Sequence, residues 1–196
     1  MNICVYGASS NAIDEEYIKV TEQLGQKMAS RGHTLVYGAG AGGLMGAAAR
    51  GAYSRGGRII GIAPTFFEID GVLFDKCTEF FPTKTMRERK QLMEDKSEAF
   101  IMVPGGIGTF DEFFEILTLK QLGRHTKAIA ILDINGYYTE LFSFLKKASD
   151  EHFMREACHG LYAVFTDSDK MLDYIENYKS ETVEVDHMKS ILQKVD

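Results

Sequence analysis

The sequence predicts an α/β protein with a Rossmann-like, doubly wound, mostly parallel sheet and helices on both faces. Three observations predict this fold. Short apolar runs alternate along the chain with amphipathic segments of helical length. Runs such as 99–103 and 128–132 lack polar alternation, which is typical of parallel strands buried on both faces. Glycine-rich turns follow several predicted strands, at the sheet edge where this class of fold binds ligands.

The elements follow one another as strand and helix. A strand over 2–6 precedes a helix over 15–30, whose apolar residues recur every three or four positions. The later units repeat this order, which favours right-handed crossovers between parallel strands. The remaining predicted strands are 33–37, 58–63, 79–82, 99–103, 128–133 and 163–166, and the remaining helices are 44–54, 85–97, 110–122, 138–148 and 168–178.

Length and composition indicate one soluble domain. The chain has 196 residues, of which 45% are hydrophobic and 26% charged, enough for a substantial core. We expect a single domain over 1–179, with 180–196 as a peripheral helix or tail. The 22 basic and 28 acidic residues give a net charge of −6, which disfavours binding to a nucleic-acid backbone.

The chain has no sequence signal for a membrane or for export. No apolar run approaches the length of about 20 residues that a membrane span needs. The first residues lack the basic and apolar regions of a signal peptide. Because Cys4, Cys77 and Cys158 are odd in number and widely spaced, we expect neither disulfides nor a zinc site, and a cytoplasmic location.

The loop 38–43 is one candidate phosphate site. It matches G-x-G-x-x-G between a strand and a helix, and with the turn at 7–10 it makes Ser9, Gly40 and Gly43 candidate contacts for a phosphate or pocket. The dinucleotide motif belongs to a first βα unit, whereas this loop lies in the second. Close packing of helix on strand, which glycine permits, is the alternative interpretation.

The loop 104–109 is a stronger candidate. Three glycines and a threonine lie between a buried strand and a helix, and glycine lets an anion approach the backbone while the helix dipole favours negative charge. The alternative interpretation of this loop is a capping box, in which the side chains of Thr109 and Glu112 bond the first amides of the helix. Glu112 and Glu115 share a helix face beside this loop.

A cationic segment precedes that strand. Arg87, Arg89 and Lys90 crowd the first turns of the helix predicted over 85–97, the end that disfavours cations. Arg89 suits an anion clamp, because guanidinium binds phosphate or carboxylate bidentately. The alternative is a solvated face whose helix start is set by a capping box of Thr85 and Glu88.

Other common chemistries lack their motifs. The five histidines have no H-E-x-x-H spacing, so we expect no metal site and no cofactor. The sequence also has neither the G-x-S-x-G of α/β-hydrolases nor the G-x-x-x-x-G-K-[ST] of P-loop proteins.

Residues 86–90, M-R-E-R-K, and 104–112, P-G-G-I-G-T-F-D-E, resemble the M-x-x-R-K and P-G-G-x-G-T-x-x-E motifs of the Lonely-guy (LOG) family. The likeness extends over nearly the whole chain, including Gly7–Ser10, Tyr37–Gly40, Gly43–Gly46 and the stretch from Gln121 to Lys127. Members of that family release the free base from nucleoside 5′-monophosphates, best known as cytokinin ribotides. No pyridoxal-phosphate lysine motif supports the family's older label, lysine decarboxylase-like.

The resemblance implies a phosphoribohydrolase acting on cytokinin ribotides, AMP or both. It implies catalytic roles for Arg89 and Glu112, and substrate contacts at Glu68, Lys90, Gly105, Gly106, Ile107, Gly108, Thr109 and Thr118. A carboxylate near the sugar would stabilise the oxocarbenium-like state of glycosidic cleavage. The alternatives are a nucleotide-binding or sensing protein without turnover, and a dinucleotide-dependent oxidoreductase.

We also expect a homodimer. The helix after loop 104–109 is apolar around much of its circumference, more than packing on one sheet face requires. The resemblance separately implies a dimer in which this region meets its two-fold mate. A helix buried between two layers of the same chain is the alternative. The apolar positions are Phe110, Phe113, Phe114, Ile116, Leu117 and Leu119.

Overall fold

A computed structural model describes residues 1–67 and 71–179. These residues form one seven-stranded sheet. Every strand pairing in the sheet is parallel, and the strand order is β4-β3-β2-β1-β5-β6-β7. The predicted fold class is therefore confirmed. The strands are β1 Asn2–Tyr6, β2 Thr34–Tyr37, β3 Ile59–Pro64, β4 Glu79–Thr83, β5 Ala99–Met102, β6 Ala128–Leu132 and β7 Ala163–Phe165.

Six α-helices cover the described part of the sheet. Two short 3₁₀ helices, Thr65–Phe67 and Glu156–Leu161, lie in the connections. The predicted elements all exist, with most bounds shifted by one or two residues. The α-helices are α1 Glu15–Ser30, α2 Gly43–Ser54, α3 Met86–Asp95, α4 Ile107–Gln121, α5 Thr139–Asp150 and α6 Ser168–Glu176.

The start of α4 differs most from the sequence prediction. The helix begins at Ile107, not at residue 110, and its N-cap is Gly106, which makes no side-chain capping bond. Thr109 and Glu112 therefore lie inside the helix, and the alternative interpretation of these two residues as a capping box is wrong. Glycine-rich sequence predicts a loop up to residue 109, but an extended Gly106 followed by helical residues starts the helix directly at the end of the Pro-Gly-Gly turn.

The sheet is buried on both faces, as the unalternated apolar runs predict. One core packs β-strand residues such as Val5 and Ile101 against α1, α2 and α6. The other packs alternate residues, such as Cys4 and Phe100, against α4 and the segment before β7. This burial holds the carboxyl ends of β1, β2, β3 and β5 in register, and the loops that follow them converge at one sheet edge.

Two further expectations concern membrane-spanning helices and the C-terminal segment. In the described part of the chain, none of the helices is both long and apolar enough to cross a membrane. Residues 180–196, expected to form a peripheral helix or tail, lie outside the described residues. The single-domain boundary at 179 therefore stays a prediction.

Candidate active site

Arg89 reaches the site from the first turns of α3. The side chain of Thr85, the N-cap residue, accepts from the Glu88 amide, and the Glu88 carboxylate accepts from the Lys84 amide at 2.7 Å. This cap starts the helix as the sequence predicts, and it turns Arg89 toward the sheet. Arg89 is buried, and its Nε donates to the carbonyl oxygen of Ile62 in β3 at 3.3 Å.

Gly38 makes room for the Arg89 guanidinium. It directly follows β2, and a Cβ at this position would lie 1.8 Å from Nη2 of Arg89. A side chain here would occupy the space of the guanidinium, so the arginine depends on glycine at the end of β2. Sequence reasoning placed Gly38 in a candidate phosphate loop but not beside the arginine. The strand order is the signal that places Gly38 beside Arg89, because the end of β2 adjoins the end of β3, to which Arg89 donates.

Glu112 forms a buried ion pair with Arg89. Its Oε1 lies 2.8 Å from Nη1 of Arg89, and each side chain is 7% exposed. Burial raises the pKa of Glu112 above the ordinary glutamate value, and the facing guanidinium opposes that rise. The two predicted catalytic residues therefore meet in the fold. They present a buried carboxylate with a raised pKa, and a higher pKa makes a carboxylate a stronger proton acceptor.

The amino end of α4 opens toward solvent beside this pair. Gly106, Ile107 and Gly108 are exposed, and a Cβ at either glycine would meet nothing within 4 Å. The first amides of a helix have no partner within it, and together with the helix dipole they favour an anion. Thr109 is buried in this turn, where its side chain lies so close to Gly105 that a Cβ there would clash. The predicted substrate contacts Gly105 to Thr109 thus lie together at the amino end of α4.

Lys90 of α3 and Thr118 of α4 line one groove along the outer face of α4. The Lys90 Nζ is 3.0 Å from Asp111 and 2.6 Å from Glu115. Burial lowers the pKa of Lys90, but these two carboxylates together raise it more, so the pKa lies above the ordinary lysine value. Thr118 is exposed on the same face. These two predicted contacts therefore lie on the outer face of α4, where the Lys90 charge is still near enough to act to lower the pKa of Glu112.

The loop 38–43 uses its backbone groups internally. The Gly43 amide donates to Oδ1 of Asn11 at 2.8 Å, and the Leu44 amide donates to the Ala8 carbonyl at 2.8 Å. Gly40 forms an isolated antiparallel bridge with Leu73. These bonds favour the interpretation of this loop as close packing of α2 on the sheet. The helix amides at its end are directed at other parts of the chain.

Two predicted contacts remain to be placed. Ser9 is exposed in the turn after β1, next to a cavity of about 300 Å³ between that turn and the Pro-Gly-Gly turn. Ser10, Tyr17, Gly106 and Tyr137 line this cavity. Glu68 lies outside the described residues.

Comparisons with known proteins place the chain in a family. A family model described as "Possible lysine decarboxylase" matches residues 45–175. Cytokinin riboside 5′-monophosphate phosphoribohydrolase LOG2 of Arabidopsis thaliana is 34% identical over 176 residues, which cover 90% of this chain and 83% of that protein. This chain belongs to the LOG family. A second relative, the probable phosphoribohydrolase LOGL3 of Oryza sativa subsp. japonica, is 33% identical over 89% of this chain and 83% of its own length.

Solved structures agree on the fold. The molybdenum cofactor binding protein of Rippkaea orientalis superposes with a TM-score of 0.69 at 22% identity, over 89% of this chain and 94% of that one. The molybdenum cofactor carrier protein of Chlamydomonas reinhardtii gives a TM-score of 0.68 at 23% identity, over 89% and 95% of the two chains. In this LOG family member, the same architecture brings Arg89 of the first motif to Glu112 of the second.

Proposed function

We propose that this protein is a nucleoside 5′-monophosphate phosphoribohydrolase acting on cytokinin ribotides, AMP or both. The observation that carries the proposal is the buried pair of Arg89 and Glu112 beside the open amino end of α4. Membership of the LOG family supports it, because curated relatives are named for this activity toward cytokinin riboside 5′-monophosphates. The activity makes the protein a hydrolase of N-glycosyl bonds.

The residues support a simple reaction. The amides of Gly106 to Thr109 hold the 5′-phosphate at the helix end, and this remote binding positions the ribose. The bond between C1′ and the base nitrogen breaks, and its electron pair leaves with the base. Glu112 stabilises the positive charge that develops on the sugar and accepts a proton from the attacking water. The water oxygen bonds to C1′, giving ribose 5-phosphate, and the proton taken by Glu112 passes through solvent to the departing base nitrogen, which gives the free base and restores the carboxylate.

Arg89 supports Glu112 in this reaction. A lone carboxylate at this depth would favour its protonated form, which cannot stabilise a cation. The guanidinium opposes that shift, and its own direction is set by Ile62 and by the space above Gly38. Arg89 therefore keeps the carboxylate charged and oriented.

We further propose that the protein works as a homodimer. An open groove of about 590 Å³ runs along the outer face of α4, where Ile107 is 88% exposed. Its apolar floor is flanked by Lys90 and by Asp111 and Glu115, so a two-fold mate can meet it with the same face and complementary charges. In such a dimer Lys90 and Thr118 lie at the subunit boundary, where they are able to reach a neighbouring site.

A reduced compartment such as the cytoplasm suits this protein. Cys4, Cys77 and Cys158 are all free, and the first and last of them are buried. The substrate we propose is a small molecule, with no nucleic acid or membrane as partner.

A release assay tests the function. Purified protein is incubated with AMP, isopentenyl-AMP, CMP and GMP, and free base is measured by chromatography, with the unphosphorylated nucleosides as controls. We expect base release from at least one adenine monophosphate, and release at least about a hundredfold less efficient from the matching nucleoside. Tight nucleotide binding without release of base from any of these compounds would contradict the proposal.

A further inference from the structure

Two adjacent tyrosines hold the turn between β5 and α4. The hydroxyl of Tyr137 donates to the Gly105 carbonyl oxygen at 2.8 Å, and the hydroxyl of Tyr138 donates to the Val103 carbonyl oxygen at 2.8 Å. Both tyrosines come from the loop after β6, which adjoins β5 in the sheet. The carbonyl groups of the turn therefore point in directions that a neighbouring loop determines.

The bond from Tyr137 also fixes an amide. In a trans peptide the carbonyl of one residue and the N–H of the next point in opposite directions. With the Gly105 oxygen held by Tyr137, the N–H of Gly106 points away from Tyr137. Gly106 is the exposed N-cap residue of α4, where the proposed function places the 5′-phosphate.

We infer that Tyr137 is a positioning residue for the 5′-phosphate, acting through the peptide between Gly105 and Gly106. This inference rests on the proposed function and extends it to a residue outside the family motifs quoted above. The peptide joins two glycines, so its plane is free of the side-chain restraints that other residues impose. Rotation of that plane would turn a carbonyl oxygen, instead of an N–H, toward the anion. The Tyr137 hydroxyl opposes this rotation.

The position of Tyr137 is itself well determined. Asn135 and Gly136 have φ angles of 55° and 68°, so the loop makes a tight turn, and the Tyr137 amide donates to the Ile134 carbonyl at 3.1 Å. The Tyr137 ring packs edge-on against Tyr17 of α1, with centroids 6.0 Å apart. A side chain held by its backbone and by its ring aims its hydroxyl in one direction.

Tyr138 is a matched control provided by the chain. It donates the same kind of bond to the preceding part of the turn, from a more buried position. The peptide that follows Val103 ends at Pro104, which has no N–H. Loss of the Tyr138 hydroxyl thus leaves a buried carbonyl without its donor, while Tyr137 still holds the Gly105 carbonyl and with it the peptide between Gly105 and Gly106.

The experiment compares Y137F and Y138F with the wild type. For Y137F we expect the KM for AMP and the inhibition constant of inorganic phosphate to rise about tenfold, while kcat changes little. For Y138F we expect a lower melting temperature but a KM and a phosphate inhibition constant close to those of the wild type. Unchanged constants in Y137F, or equal changes in both variants, would overturn the inference.

A binding readout separates this inference from the proposed function. If the wild type releases no base, the proposed function fails, and thermal shift by inorganic phosphate alone then decides the role of Tyr137. A shift in the wild type and in Y138F that is lost in Y137F supports that role. Equal shifts in all three proteins, or no shift in the wild type, would refute it.

Discussion

The Arg89 guanidinium lies between the Glu112 carboxylate, 2.8 Å from its Nη1, and the backbone of Gly38, which leaves no space for a Cβ. The arginine is therefore positioned by a glycine on one strand end and paired with a carboxylate on another helix. This relationship makes the proposed catalytic carboxylate sensitive to changes at positions that never touch the substrate.

Replacement of Glu112 by glutamine should abolish most turnover. The amide is close in shape and keeps an oxygen that accepts from Arg89, but it carries no charge to stabilise a cation and no basic oxygen for water. We expect kcat to fall by about 10²–10³ while AMP still binds. Steady-state kinetics and calorimetric titration measure the two effects, and E140Q, an exposed glutamate on α5, is the control. Near-normal base release by E112Q would remove Glu112 from the mechanism.

Replacement of Gly38 by alanine should act at a distance through Arg89. The new methyl group needs space that Nη2 occupies, so the guanidinium must shift and its bond to Glu112 lengthens. A displacement of this size costs roughly 10–100-fold in kcat. G160A is the matched control, because a Cβ at Gly160 meets nothing within 4 Å. Equal kcat values for G38A and G160A would show that the close approach is irrelevant to activity.

Activity should require the 5′-phosphate. The exposed amides at the start of α4 and the helix dipole favour an anion, and phosphate binding positions the ribose at Glu112. We expect kcat/KM for AMP to exceed that for adenosine by at least about a hundredfold. The rates of AMP and adenosine cleavage are compared at equal concentrations. Inhibition by ribose 5-phosphate reports the same contact between the phosphate and the start of α4. Equal cleavage of the two compounds would exclude loop 104–109 as a phosphate site.

The acid side of the pH profile should reflect Glu112. Burial raises the pKa of this carboxyl above its ordinary value, and the ionised form is the active one. Activity is therefore expected to fall, as the pH is lowered, at a higher pH than an ordinary glutamate would give. A profile of kcat/KM against pH measures the inflection, with melting temperatures at each pH to exclude unfolding. An inflection at or below the ordinary value would contradict this assignment.

A charge on the outer face of α4 should separate the subunits. Phe114 lines the groove beside exposed Ile107, and an aspartate there would have to enter the proposed interface without a partner. We expect F114D to sediment as a monomer at low micromolar concentration and to lose activity. F144D places the same charge at a phenylalanine of α5 that is 66% exposed and lies outside the groove. A wild-type monomer with full activity would end the dimer proposal.

Lys120 should make stability depend on alkaline pH. It is 1% exposed, donates to the Leu161 carbonyl and to the Tyr178 hydroxyl, and burial lowers its pKa to about 8. Above that pH the folded protein releases a proton that the unfolded chain still holds, so the free energy of unfolding rises with pH by about 1.4 kcal/mol per unit at most. Urea titrations between pH 7 and 9 should show this rise in the wild type but not in K120M.

The exposed Lys147 provides the control for that measurement. K147M removes a lysine of α5 whose side chain is 66% exposed, so its loss leaves the pH dependence as in the wild type. Parallel slopes for the wild type and K120M would mean that Lys120 stays protonated in the fold.

The sequence by itself determined the fold class and the identity of the central residues. Apolar runs without alternation, such as β5 and β6, have only one stable environment, a parallel sheet covered on both faces, so local pattern and burial agree. The sequence also identifies the motifs around Arg89 and Glu112, because each motif is a contiguous stretch next to a predicted strand. These features depend on residue type and spacing along one segment.

Only the tertiary structure decided which groups meet. The contact of Arg89 with Gly38, the hydrogen bond from Tyr137 to Gly105 and the ion pair of Lys90 with Asp111 each join segments that are distant in sequence. They depend on strand order, helix rotation and Å-scale packing. The start of α4 at Ile107 shows the same limit, because a glycine turn becomes a helix cap only when the strand before it and the loops beside it fix its peptide planes.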